Sequence, residues 1–308
     1  MVFLETQLCG HKLSNPTVLA SGFLGLDWAS LDRVAKSGAG AVTTKSCNLE
    51  GREGYNNPTV LANENFMLNA IGLANAGVES EIEELHVLRK KTKAVIIGSV
   101  FESSPDGFAQ VVKRISEGSP HLIELDLSCP HLGGKGFEKY HDFASDPVLI
   151  EQTVRAAKKS TKIPIFAKLS PNVPNIADLA LAAEKAGADG ITAINTAGGM
   201  MISAEFKRPV LHNKFGGVSG PALKPIALKC VYQCYGAVKI PIIGTGGVTN
   251  GKDAIEMLMA GATAVGVGTA TYYRGIGAFE LICDEMEKWM EKNGYNSVKE
   301  LIGIAHEE

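Results

Sequence analysis

Short apolar runs of four to six residues recur along the chain, at 17–20, 41–44, 94–98, 122–127, 164–169, 190–194, 241–245 and 262–267. Between them lie stretches whose apolar residues follow the 3.6-residue spacing of amphipathic helices, at 30–37, 79–91, 108–117, 147–159, 176–186, 225–235 and 253–260. Glycines at the helix exits (Gly38, Gly187, Gly261) fit a helix stop signal. Strand and helix alternating at this spacing predict right-handed βαβ units and a parallel sheet of the α/β class. An open, doubly wound sheet would give the same alternation. The count of eight strands points instead to a (β/α)8 TIM barrel.

The strand ends carry the chemistry. In order, the runs are followed by Ser21-Gly22, Lys45-Ser46, Ser99, Ser128-Cys129-Pro130, an internal Lys168, Asn195-Thr196, Gly246-Gly247 and Gly268-Thr269. In a barrel these ends meet on one face, where such enzymes keep their active sites. The pattern points to an enzyme. Two connections, 47–78 and 197–221, exceed the usual ~2–6 residues and predict inserted loops or hairpins at that C-terminal face. Residues 5–12 predict a short polar cap or hairpin ahead of the first strand. A helix over 277–292 and a small terminal helix, opening on the capping-box pattern Ser297…Glu300, follow the last strand.

The chain has 308 residues, which fits one barrel domain of ~250 residues plus insertions over 1–308. Its 45% hydrophobic and 20% charged residues allow a sizeable core. A net charge of −3 with no basic stripe argues against nucleic-acid binding. Six cysteines without a CxxC pair argue against a zinc or iron–sulfur site within the chain. No apolar run approaches the ~18 residues of a membrane span, and the start lacks a secretory pattern. The expectation is a cytoplasmic, reduced protein without a metal.

Gly244-Thr-Gly-Gly247 and Gly266-Val-Gly-Thr269 close the last two strands. Glycines there either make tight turns or let backbone N–H groups approach a phosphate, and their pairing in the last two loops favours phosphate. Lys45 and Lys168 end or lie within strands. Each either reaches outward to solvent or faces the interior, where an anionic cofactor would compensate it. Cys129 stands at the catalytic rim beside Ser128 and His131, where a thiol of lowered pKa can act as base or nucleophile. The segment 130–140, with Gly133, Gly134 and Gly136, is expected to act as a lid.

Several segments then combine: Asn15-Pro-Thr-Val-Leu-Ala-Ser-Gly22, Thr44-Lys-Ser46, Asn69-Ala-Ile-Gly-Leu-Ala-Asn75, Ser128-Cys-Pro130, Ala167-Lys-Leu-Ser-Pro-Asn172, Asn195-Thr196, Gly216-Gly-Val-Ser-Gly-Pro-Ala-Leu-Lys-Pro225 and the two glycine turns. In this order, and over essentially the whole chain, they resemble the catalytic subunit of class 1 dihydroorotate dehydrogenases, most closely the NAD-linked class 1B branch. The resemblance implies FMN-dependent oxidation of (S)-dihydroorotate to orotate in pyrimidine synthesis. It implies FMN phosphate on Gly246, Gly247, Gly268 and Thr269. The ring would lie near Ala20, Ser21, Lys45, Ser46, Ser99, Asp126, Lys168, Ile194 and Gly220. Substrate would be held by Lys45, Asn69, Ala70, Ile71, Gly72, Leu73, Asp126, His131, Asn195 and Thr196. Cys129 and Lys45 would be catalytic, with Cys129 taking the C5 proton as hydride leaves C6 for the flavin. A partner subunit carrying FAD and a [2Fe–2S] cluster, in a homo-oligomer or heterotetramer, is implied as well.

Three positions depart from the family pattern, which usually has Asn where this chain has Ser99, Asp126 and His131. A carboxylate at Asp126 would repel the orotate carboxylate unless protonated or paired with a lysine. Ser-Cys-Pro-His is also similar to the dihydropyrimidine dehydrogenase domain, so an uncharged dihydropyrimidine is an alternative substrate. A non-catalytic flavin-binding subunit is a third reading, against which Lys45, Asn69, Cys129 and Asn195 speak.

Overall fold

Eight parallel strands close into a barrel in the order of the sequence: β1 (Thr17–Leu19), β2 (Ala41–Thr43), β3 (Val95–Val100), β4 (Leu122–Asp126), β5 (Ile165–Leu169), β6 (Gly190–Ala193), β7 (Ile242–Thr245) and β8 (Ala264–Val267). The structure is a computed structural model and describes residues 2–128 and 144–307. Cys129, His131 and the expected lid lie outside the described residues. The (β/α)8 expectation holds, and each strand falls within or beside its apolar run. Among the described residues no helix is long and apolar enough to cross a membrane.

The helices that follow the strands are α1 (Trp28–Lys36), α2 (Val78–Lys91), α3 (Pro105–Ile115), α4 (Pro147–Ser160), α5 (Ile176–Lys185), α6 (Lys224–Ala237), α7 (Gly251–Met259), α8 (Ala270–Arg274) and α9 (Ala278–Asn293). Their starts obey capping chemistry. Asp27 accepts from the Ser30 amide at 2.7 Å, Ser104 from that of Gly107 at 3.1 Å, and Asn250 with Asp253 forms a capping box. The Ser104 cap with Pro105 in the first turn starts α3 three residues before its apolar periodicity does. The expected terminal helix is instead two separate 3₁₀ turns, Val298–Glu300, with Ser297 as its cap, and Ile304–His306.

Side chains alternate across each strand, so every second residue points into the barrel. At the N-terminal end the inward residues are apolar: Val18, Ala41, Val95 and Ile97, Leu122, Phe166, Ile243 and Ala264. A two-stranded hairpin, Thr6–Leu8 with His11–Leu13, closes that end by adding Leu8 and Leu13 to the same cluster. The expected hairpin is present, and its role is an apolar plug. Water is thereby kept from one end of the barrel, which leaves the other for the site.

The two long insertions meet over the C-terminal end. Val60–Ala62 and Met67–Asn69 come from the first, Ala197–Met200 and Phe215–Ser219 from the second, and together they form one antiparallel four-stranded sheet. The insertions join where Gly217 pairs with Asn69, Val218 with Leu68 and Ser219 with Met67. Leu68, Ala70 and Leu211 give this sheet a small core of its own.

Candidate active site

Toward the C-terminal end the inward-facing positions of the barrel turn polar. β3 follows Val95 and Ile97 with Ser99, β4 follows Leu122 with Glu124 and Asp126, and β5 follows Phe166 with Lys168. Lys168 therefore faces inward. Its Nζ stands 3.5 Å from Glu124 Oε1, with only 7% and 4% of the two side chains exposed. A buried ammonium is tolerable only beside such a carboxylate. Glu124 Oε1 also accepts from Ser99 Oγ at 3.1 Å. Ser99 Oγ lies 2.9 Å from Ser46 Oγ, which lies 3.0 Å from Ser21 Oγ. Ser99 thus sits one layer behind Ser46, between it and Glu124.

Above this layer two cavities adjoin. The upper, of about 770 Å³, is lined by Lys45, Ser46, Asp126 and the segment Asn69, Ala70, Ile71, Gly72 and Leu73. The other, of about 500 Å³, is lined by Ala20, Ile194, Gly220 and the two glycine turns, Gly246, Gly247, Gly268 and Thr269. Ser21, Lys168, Asn195 and Thr196 line both. Of the expected binding residues that are described, Ser99 alone lines neither cavity.

The loop of the upper cavity is held from outside the site. Arg52 Nε donates to Gly72 O at 2.7 Å, and Arg52 and Asn75 exchange backbone hydrogen bonds at 2.8 and 2.9 Å. Gly72 has φ +76° and packs on the Tyr55 ring, where an added Cβ would come within 2.9 Å. The loop is set before any ligand arrives.

The glycine turns serve packing as well as access. Gly247 has φ +75°, and a Cβ there would lie 2.4 Å from the Lys224 amide nitrogen. The β7 turn thus abuts the start of α6. Lys224 Nζ pairs with Asp253 at 2.6 Å and Glu256 at 2.8 Å, tying α6 to α7. Against burial, which would raise it, the hydrogen bonds from Lys224 and Thr249 hold the Asp253 carboxyl below its usual value. The backbone at the turn is presented by a braced scaffold, as an anion site needs.

Asp126 Oδ1 accepts from the Ser128 amide at 3.2 Å, Ser128 Oγ at 2.9 Å and Asn195 Nδ2 at 3.3 Å. It stands opposite Lys168 in the β4–β5 register, and Lys45 lines the same cavity. Asn195 Oδ1 accepts from the Thr196 amide at 2.7 Å. Cys129, the next residue after Ser128, and His131 are outside the described residues.

FMN fits this site on two observations. Thr192 and Thr245 carry buried hydroxyls without hydrogen-bond partners among the described residues, and both line the floor beneath the cavities beside Lys168. Such orphaned groups suit a ligand with polar edges. The glycine turns lie at the far side, where a terminal phosphate would be bound. Sequence reasoning missed Glu124, Phe23, Ser219 and Thr245. Period-two alternation from Asp126 marks Glu124 as inward-facing; nothing in the local sequence marks Phe23.

The family model described as dihydroorotate dehydrogenase matches residues 3–290. The chain is 44% identical over 307 residues to the dihydroorotate dehydrogenase B (NAD(+)) catalytic subunit of Methanocaldococcus jannaschii, covering 99% of this chain and 98% of that one. It is 45% identical over 306 residues to the like-named protein of Methanothermobacter thermautotrophicus, covering 99% of each. Among solved structures, that of DHODH from Eimeria tenella in complex with ferulenol superposes with a TM-score of 0.84 at 22% identity, over 99% of this chain and 89% of that one. At that identity the superposition speaks to the fold.

Proposed function

The chain belongs to the dihydroorotate dehydrogenase family and is an FMN-dependent oxidoreductase converting dihydroorotate to orotate; we propose that the glycine-lined cavity takes FMN and the upper cavity the substrate. The observation that carries this assignment is the adjoining of the two cavities along Ser21, Lys168, Asn195 and Thr196. A substrate above would then contact a cofactor below.

FMN supplies the acceptor for the hydride equivalent removed from the substrate. Backbone N–H groups at Gly246, Gly247, Gly268 and Thr269 would hold its phosphate. Lys168 supplies a fixed positive charge under the ring site, where reduction adds negative charge. Lys45 meets the substrate carboxylate. Asn69 and Asn195 offer both donors and acceptors, which suits the cyclic diamide of a dihydropyrimidine. Cys129 takes the C5 proton. Its chain neighbour Ser128 is anchored to Asp126 and Asn195, which supports a defined starting point for the base. The Asp126 carboxylate is engaged by three donors on one oxygen, which moderates the repulsion its charge offers an anionic substrate.

The reading extends to a partner subunit with FAD and a [2Fe–2S] cluster that passes electrons to NAD(+), in a cytoplasmic homo-oligomer or heterotetramer. The names of the relatives, catalytic subunits of an NAD(+)-linked enzyme, support it. The test is direct. Purified protein should be yellow, release FMN on heating, and lose its visible absorbance when mixed anaerobically with dihydroorotate. Release of FAD, or absorbance that persists, would contradict the proposal.

A further inference from the structure

Glu124 has no part in the roles assigned above, yet it is the hub of the buried polar layer. One oxygen, Oε1, meets both Lys168 Nζ at 3.5 Å and Ser99 Oγ at 3.1 Å. The serine string has a direction that Glu124 imposes. A carboxylate can only accept, so Ser99 gives it its one proton and must itself accept from Ser46. Ser46 in turn can accept only from Ser21, whose single proton is shared between Ser46 Oγ and the Thr44 carbonyl, each at 3.0 Å. Ser21 and Ser46 line the upper cavity, and Lys168 lines both. The charge of Glu124 therefore reaches the site along two routes: through the ammonium it pairs with and through a row of oriented hydroxyl dipoles.

We propose that Glu124 is a positioning residue that holds the Lys168 ammonium and, with the Ser99–Ser46–Ser21 string, sets the reduction potential of the bound flavin. The inference rests on the FMN assignment above. Reduction adds negative charge to the ring, and Lys168 favours it. Glu124 opposes part of that field, because its negative charge lies only 3.5 Å from the ammonium. Removing the Glu124 charge while keeping its shape takes away part of what offsets the ammonium and makes reduction easier. Removing the Ser99 hydroxyl does the reverse: the carboxylate loses the dipole that partly neutralises it, and reduction becomes harder.

The experiment is a dye-coupled anaerobic titration of the FMN-bound protein and three variants, with FMN affinity measured alongside by fluorescence. Glu124→Gln should raise the ratio of reduced to oxidised flavin at a given potential about tenfold, a rise of ~30 mV for a two-electron couple. Ser99→Ala should move the midpoint the other way. Glu124→Asp, which keeps the charge, should stay nearer to the wild type than Glu124→Gln. A purely structural role would leave the midpoint in place or shift both variants alike, and either result overturns the inference. If Glu124→Gln yields no FMN-bound protein, Ser99→Ala decides alone, and an unchanged or raised midpoint overturns it. A wild-type protein without FMN would instead refute the cofactor assignment, so the two failures are distinguishable.

Discussion

Asn195 and Asp126, at the ends of β6 and β4, are joined by a 3.3 Å hydrogen bond from Asn195 Nδ2 to Asp126 Oδ1. The same amide nitrogen reaches Ser128 Oγ at 3.0 Å. One triad thus ties a cavity-lining amide to the residue that immediately precedes Cys129. The carboxylate within it carries a negative charge at the wall of a cavity assigned to an anion.

Asp126→Asn tests that charge. The amide keeps an oxygen able to accept from Ser128 and Asn195 and removes the charge. Orotate should bind up to tenfold more tightly, about 1.4 kcal/mol, with FMN retained. Orotate titration followed by the flavin spectrum checks this; unchanged affinity would mean that the carboxylate carries no net repulsion in the site.

Cys129→Ser should retain FMN and slow flavin reduction steeply at neutral pH, since a hydroxyl is a far poorer base than a thiol of ordinary pKa ~8.5. In the wild type the reduction rate should rise with pH as the thiolate forms. Stopped-flow reduction across pH reads both; a serine variant as fast as the wild type would remove Cys129 as the base.

Gly247→Ala should be poorly tolerated, because its Cβ would lie 2.4 Å from the Lys224 nitrogen at φ +75°. Strain of at least ~2 kcal/mol is expected, with loss of bound FMN. Gly236→Ala is the control. Gly236 lies within α6, and a Cβ there meets nothing within 4 Å. It should be neutral or stabilising by ~0.5–1 kcal/mol. Thermal melting and flavin content of the two variants separate the effects.

Burial, then the neighbouring Glu84, raise the Glu81 carboxyl from 4.5 to about 8, against the lowering effects of a Thr44 hydrogen bond and the Lys45 charge. Between those values the unfolded chain releases a proton that the folded chain keeps, so stability falls as pH rises through that window and levels off above it. Glu81→Gln removes this component. The gain in melting temperature over wild type should grow from pH 5 to pH 8; an equal gain at both would show that Glu81 ionises normally.

The barrel was legible because strands and helices differ in apolar period and the strands number eight. The joining of the two insertions into one sheet was not. Their strands at Ala197–Met200 and Phe215–Ser219 are rich in glycine and lack the alternation that fixes register. The candidate residues at the strand ends could be placed because those ends converge on one face; the 69–73 loop, Ala20, Ile194 and Gly220 came from the family resemblance alone. Ser99 falls behind the cavity wall, where its short hydroxyl meets Ser46 and Glu124, a placement that depends on side-chain length. Glu124 was missed although it lies two residues before Asp126, because its partner Lys168 lies on the next strand and only the β4–β5 register brings them together.

The chain oxidises a carboxylate-bearing dihydropyrimidine, dihydroorotate, on FMN. Anaerobic reduction of the purified protein by dihydroorotate, dihydrouracil and dihydrothymine in parallel tests it most directly. Dihydroorotate should bleach the flavin fully and fastest, with the two uncharged compounds slow or inert. Bleaching by dihydrouracil in a protein that ignores dihydroorotate would contradict the account.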